Sequence, residues 1–165
     1  VDTIKRLMDI NYLGTVRGVK LVLPRMLERG GGQIINIASV AGRTVAAGMS
    51  NYCATKHAVV GLTRTLMREH HGSGVQFTLV MPTFTRTRMT EGAVSNRIPV
   101  AEPTDVAAGI AAAVIHPRDE LIVPRSAAVL IHASEVMPRR VGDTISRNLG
   151  ADRMFYPGRA AEQVG

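Results

Sequence analysis

Tyr52 and Lys56 stand four residues apart in the stretch Asn51-Tyr52-Cys53-Ala54-Thr55-Lys56-His57. On a helix that spacing places both side chains on one face. A phenol is a weak acid, with a reference pKa of about 10. An ammonium group about 6 Å away, at an effective dielectric of about 20, favours the phenolate by about 3 kcal/mol, or roughly two pKa units. That brings tyrosine into a useful range for proton transfer. Ser39, thirteen residues before Tyr52 and seventeen before Lys56, adds a hydroxyl that can bond the same substrate oxygen. The three groups together can hold a carbonyl or alcohol oxygen and exchange its proton. Such a reaction also needs a hydride donor or acceptor, which no side chain supplies and a nicotinamide cofactor does.

Several elements have to bring these residues together. Residues 3–29 carry Ile4, Leu7, Met8, Asn11, Tyr12, Thr15, Val19, Val22 and Leu23 near one helical stripe, with Pro24 expected to bend or break the helix and Gly30–Gly32 to end it. Residues 33–39 are a short β-branched run that reads as a strand covered on both faces. A loop leads to a second long helix over 50–70, with Ala54, Ala58, Val59, Leu62, Thr63 and Leu66 on its packed side. A second buried strand spans 75–81 and stops at Pro82. Residues 83–102 show no period, and a loop of that length is usually functional. A helix follows over 102–116, with Thr104 expected as its cap and Asp105 in its first turn, then a third strand over 120–124. A basic helix is expected within 134–150 and frayed chain over the last fifteen residues. Strands alternating with helices predict an α/β fold with a parallel sheet. Ligands bind such sheets at the carboxyl ends of the strands, here Ser39, Pro82 and the segment after Val123.

Composition narrows the classes. The chain has 165 residues, one domain's worth, and is 45% hydrophobic, which excludes a disordered chain. No run of apolar residues is long enough to span a membrane, and no N-terminal signal pattern is present. The single cysteine, Cys53, excludes an internal disulfide framework and suits a reducing cytoplasm. A net charge of +7 raises nucleic-acid binding. The arginines are scattered, however, and there is no tryptophan and only six Phe and Tyr together, a poor base-stacking platform.

The sequence resembles the short-chain dehydrogenase/reductase family. The resemblance rests on "IINIASVAG", on "YCATK" at the proper distance from Ser39, on "INYLGT" around Asn11, and on "MPTFTRT" after the second strand. It covers roughly residues 1–125 and implies the C-terminal half of a doubly wound, Rossmann-like parallel sheet with flanking helices. It implies an NAD(P)-dependent oxidoreductase interconverting a secondary alcohol and a ketone. Tyr52 would be the general acid/base, Lys56 its tuner and a partner of the nicotinamide ribose, and Ser39 the group that orients the substrate oxygen. Asn11 would hold a local opening in its helix and a water linking Lys56 to solvent. Pro82, Thr83 and Thr85 would meet the nicotinamide carboxamide, and Thr87 the carboxamide or a phosphate.

One departure stands at Thr83, where the family usually has glycine; if that backbone needs φ > 0, threonine is strained there. A second is the lack of a glycine-rich dinucleotide fingerprint, so the half that grips adenosine and selects NAD or NADP is expected outside this chain. A catalytic domain over 1–133 and a tail over 134–165 are expected, with a homodimer or homotetramer at full length and a small alcohol or carbonyl compound as substrate. The alternative is a non-catalytic fragment or interaction scaffold with an open sheet edge.

Other residues read more plainly. Cys53 lacks a paired base and reads as a small packed residue. His57, His70, His71, His116 and His132 show no metal-ligand spacing, so no metal is expected. A Ser39–Lys56 hydrolase dyad leaves Tyr52 and the Pro82 segment unexplained. Arg86, Arg88 and Arg97 read as solvated loop charge rather than a grip for an acidic group. Val45 and Met49 read equally as pocket lining or loop packing.

Overall fold

The computed structural model describes residues 2–90 and 100–148. In chain order it contains α1 (Asp2–Met8), a π-helical turn (Asp9–Leu13), α2 (Gly14–Glu28), β1 (Gly32–Ile37), α3 (Ser50–Glu69), β2 (Val75–Pro82), β3 (Phe84–Thr85), β4 (Val100–Ala101), α4 (Pro103–Ile115), β5 (Glu120–Val123), α5 (Ala128–Val136) and α6 (Arg139–Asn148). Short 3₁₀ turns lie at Val40–Gly42, Arg88–Thr90 and Arg125–Ala127. The three longer strands make one parallel sheet in the order β1-β2-β5, with Gly32 to Ile37 in register with Val75 to Val80, and Leu79 to Pro82 with Glu120 to Val123. β3 and β4 form a separate two-stranded parallel pair.

Parallel strands need crossovers, and α3 and α4 provide them on opposite faces of the sheet. On one face Val59 and Val60 of α3 pack with Leu79, Met81, Ile122 and Ile131, and Val19, Leu23 and Leu66 pack with Ile34, Val75 and Phe77. On the other face Ala113 of α4 and Ala101 pack with Val80, Leu121 and Val123. β2 lies between both layers, which is why its run is almost continuously apolar. Leu79, Val80 and Met81 are fully buried, and each such side chain contributes about 1.5–3 kcal/mol.

Several expectations are corrected. The first helix is interrupted by the π-helical turn at Asp9–Leu13 and runs on through Pro24 to Glu28. β1 is less covered than a two-sided strand: it is an edge of the sheet, and Ile37 is exposed. The buried side of α3 is Cys53, Thr55, Val59, Val60, Thr63 and Leu66, whereas Ala54 is exposed. The reason is that α3 meets three surfaces: the sheet, the Val40–Gly42 turn and the π-helical turn. Residues 83–102 are not structureless, since they contain β3 and β4. The cap of α4 is Glu102 rather than Thr104, in a capping box where the Asp105 carboxylate accepts from the Glu102 N–H at 2.9 Å. The basic helix begins at Arg139, and the start of the 134–150 stretch belongs instead to α5, which runs to Val136. Arg97 and the last fifteen residues lie outside the described residues.

Candidate active site

Ser39 follows the carboxyl end of β1 in extended backbone (φ −172°, ψ 160°) and caps the Val40–Gly42 turn, its Oγ accepting from the Ala41 N–H at 3.2 Å. The same hydroxyl lies 3.4 Å from the Pro82 carbonyl at the end of β2 and close enough to Tyr52 to act on its phenol. Ser39, Pro82 and Tyr52 therefore meet at one end of the sheet. The sheet register makes this possible: Ala38 N–H donates to the Val80 carbonyl at 2.8 Å and Thr83 N–H to the Val123 carbonyl at 2.8 Å, which aligns the three strand ends.

Tyr52 and Lys56 are both half-buried on α3. The Lys56 Nζ lies 5.6 Å from the centroid of the Tyr52 ring and donates to the Ile37 carbonyl at 3.4 Å. A cation over an aromatic face is attracted by the ring quadrupole. The electrostatic expectation needs correction here. Burial pushes the Tyr52 hydroxyl above its ordinary range, against the hydrogen bond from Ser39, which acts to lower it; the neighbouring Cys53 adds a small upward push. Lys56 is itself held below its ordinary range by burial. The ammonium lies over the ring and donates to the Ile37 carbonyl, and desolvation of the phenol is the larger effect on Tyr52.

Asn11 lies in the middle of the π-helical turn, where the Gly14 N–H reaches back to the Asp9 carbonyl. Its Nδ2 donates to Thr55 Oγ1 at 3.1 Å, and Thr55 Oγ1 donates to the Tyr52 carbonyl at 2.8 Å. Thr15 Oγ1 donates to the Asn11 carbonyl at 3.0 Å. A relay thus ties the opened turn to the backbone beneath Tyr52. Thr55 is a residue that the sequence reading missed. Its place one helical turn after Tyr52 was visible, but its partner is 44 residues away. Widened helical turns of this kind occur frequently at functional sites.

Thr83 is buried, and among the described residues no non-glycine residue has positive φ, so the expected strain at Thr83 is not present. Thr85 Oγ1 lies 3.3 Å from the Thr83 carbonyl, and Thr90 Oγ1 donates to the Thr85 carbonyl at 2.6 Å and lies 3.0 Å from the Thr87 N–H and carbonyl. Those hydroxyl contacts brace the segment that leaves β2. Among the described residues no hydrogen bond joins Thr85 or Thr87 to Tyr52 or Lys56. Arg86 is exposed and paired with Glu102 at 2.7 Å. Val45 is exposed and Met49 half-buried, and Cys53 is buried.

The family described as short chain dehydrogenase matches residues 1–98. The chain is 30% identical over 149 residues to 17-beta-hydroxysteroid dehydrogenase 13 of Rattus norvegicus, covering 88% of this chain and 50% of that one. It is 44% identical over 82 residues to an inactive 2-(S)-hydroxypropyl-CoM dehydrogenase 2 of Xanthobacter autotrophicus, covering 50% of this chain and 36% of that one. Among solved structures, a short chain dehydrogenase from Burkholderia cenocepacia in complex with NADP superposes with a TM-score of 0.73 at 21% identity, over 88% of this chain and 60% of that one. A 4-hydroxyisoleucine dehydrogenase complexed with NADH gives a TM-score of 0.66 at 23% identity, over 74% and 58%. The chain spans about half the length of the curated relatives that it matches over most of its own length.

Proposed function

Because the chain belongs to the short-chain dehydrogenase family, we propose that it carries the proton-handling part of an NAD- or NADP-dependent oxidoreductase. The reaction is the interconversion of a secondary alcohol and a ketone. The observation that carries this reading is the meeting of the Ser39 hydroxyl with Tyr52, with Lys56 over the same ring, at the carboxyl ends of β1 and β2.

Tyr52 is the acid/base. Its phenol is protonated at neutral pH, a state that burial favours further, so it is poised to donate to a carbonyl oxygen. Ser39 orients and polarises that oxygen through its own hydroxyl. The Lys56 ammonium, seated on the ring, favours the phenolate that remains after proton transfer. Asn11 holds the opened helical turn, fixes Thr55 beneath Tyr52, and holds a water between Lys56 and solvent.

The donor set suits a nicotinamide dinucleotide. The Lys56 ammonium has three N–H donors, and the contact to Ile37 at 3.4 Å engages one of them, which leaves others for ribose hydroxyls. Pro82, Thr83 and Thr85 stand at the strand end for a carboxamide, and Thr87 for the carboxamide or a phosphate. When bound, the dinucleotide supplies or accepts the hydride.

The test is Tyr52→Phe in the full-length protein. Turnover of secondary alcohols or ketones is expected to fall by at least about 10²-fold, with little change in the Kd for reduced dinucleotide. Turnover at the parent rate would overturn the reading.

A second reading, a non-catalytic interaction scaffold, is favoured by the outer edge of β1. A groove of about 510 Å³ lies there, lined by Ile10, Thr15, Val19, Val22, Ile34 and Ile37, and Ile10, Val22 and Ile37 are exposed. Concentration-dependent self-association of this chain without dinucleotide binding, followed by sedimentation, supports the scaffold; micromolar binding of reduced dinucleotide contradicts it.

A further inference from the structure

Arg43 stands four residues beyond Ser39, just past the Val40–Gly42 turn, and only 3% of its side chain is exposed. Its Nε donates to Glu135 Oε1 at 2.5 Å and its Nη2 to Glu135 Oε2, a two-pronged pair with the last turn of α5. Its Nη1 donates to Glu120 Oε2 at 3.0 Å, at the start of β5, and lies 3.4 Å from His132 Nε2. The His132 Nδ1 faces the Ala128 carbonyl at 2.6 Å. That carbonyl requires a proton on Nδ1, which leaves Nε2 of the neutral ring as an acceptor for Arg43. Arg64 of α3 backs the cluster, its Nε donating to Glu120 Oε1 at 2.7 Å. A buried guanidinium is tolerated only when its donors are matched in this way.

The segment between Ser39 and Arg43 is short and internally bonded. Gly42 N–H donates to the Ser39 carbonyl at 2.9 Å, and the Arg43 and Thr44 N–H groups donate to the Val40 carbonyl, each at 2.9 Å. Gly42 rests directly on α3, leaving no room for a Cβ beside the Lys56 carbonyl. The turn is thus held between α3 on one side and the Glu120–Glu135 carboxylates on the other. A displacement of Arg43 moves a unit whose other end is the Ser39 hydroxyl.

We propose that Arg43 is a positioning residue whose guanidinium, clasped by Glu135 and Glu120, anchors the Ser39 turn to α5 and β5 and keeps the Ser39 hydroxyl on Tyr52. The proposal rests on the reading of Ser39 and Tyr52 as the proton-handling pair. It assigns a role in that reaction to the end of α5, 92 residues from Arg43, and predicts that changes in α5 reach the phenol through Arg43.

The test observes Tyr52 directly. The chain has three tyrosines, so selective ¹³Cζ labelling gives few NMR signals, and Tyr52→Phe assigns the one of interest. Ser39→Ala is expected to shift the Tyr52 signal. Arg43→Met is expected to shift it in the same direction, and further than Arg64→Met, which leaves the Arg43–Glu135 pair in place. Arg43→Lys, which retains one charged bond, is expected to restore part of the shift. If Arg43→Met fails to fold, Glu135→Gln is read in its place with the same expected direction. A Tyr52 signal unmoved in Arg43→Met or Glu135→Gln, or one moved equally by Arg64→Met, overturns the proposal. The readout needs no turnover, so its failure leaves the assignment of Tyr52 as acid/base standing, whereas parent-rate turnover in Tyr52→Phe sinks that assignment.

Discussion

Gly42 is where the Ser39 turn rests on α3, and Gly42→Ala tests how tightly that contact is made. A Cβ added there falls 2.6 Å from the Lys56 carbonyl oxygen, 2.7 Å from Val60 Cγ2 and 2.9 Å from the Lys56 carbonyl carbon. The Val60 methyl can turn aside, but the Lys56 carbonyl is helix backbone and stays. The turn therefore has to lift away from the helix, and overpacking of this kind costs about 1–3 kcal/mol. Alanine also restricts the unfolded chain, which offsets about 0.4–1 kcal/mol where the native backbone suits it. The net expectation is a loss of about 1–2 kcal/mol. Gly61→Ala is the matched control: it lies on the same helix with nothing within 4 Å of its added Cβ, and a gain of about 0.5–1 kcal/mol is expected. Urea denaturation of the three proteins reads both values from their midpoints at constant slope. A Gly42→Ala protein as stable as the parent, or a Gly61→Ala protein destabilised to the same degree, would refute the reasoning.

Thr83→Gly, the change toward the family's usual residue, is expected to lower stability by about 1 kcal/mol, because Thr83 is buried at an ordinary φ and glycine adds unfolded-state freedom; a gain in melting temperature would show that strain is present after all. The Glu135 carboxyl is held below its ordinary range by its hydrogen bond to Arg43. A depressed carboxylate contributes stability that is present above its unfolded value of 4.5 and lost as pH falls through its folded value. Glu135→Gln should therefore flatten the acid limb of the stability profile, and an unchanged acid limb would count against the pair. Tyr52 has the opposite sign: its raised value contributes stability below pH 10.0 that is lost as pH rises through the folded value. Tyr52→Phe should reduce the alkaline loss, measured as the melting temperature above that pH.

What the sequence made legible follows from how local the signals are. β2 was readable because a strand covered on both faces has to be apolar at nearly every position from Val75 to Met81. Tyr52 and Lys56 were readable as a pair because helical spacing fixes their shared face. The direction of the Tyr52 shift was not, because it depends on how much of the phenol the surrounding turn and strands bury. The buried side of α3 was also misjudged at Ala54, since a helix packed against three surfaces does not present one simple stripe. Thr55, and the joining of Arg43 to Glu120 and Glu135 across 77 and 92 residues, carry no periodic signal at all. Such contacts are set by which strand ends and helix ends the fold places side by side.

The central claim is that Tyr52 passes a proton while hydride moves between a carbon and a nicotinamide. Its most direct test supplies the full-length protein with a secondary alcohol bearing deuterium on the carbinol carbon, together with oxidised NAD or NADP, and follows the label by mass spectrometry. The account predicts deuterium in the reduced dinucleotide, with its appearance lost in Tyr52→Phe. Alcohol oxidised without label reaching the dinucleotide, or labelling at the parent rate in Tyr52→Phe, would contradict it.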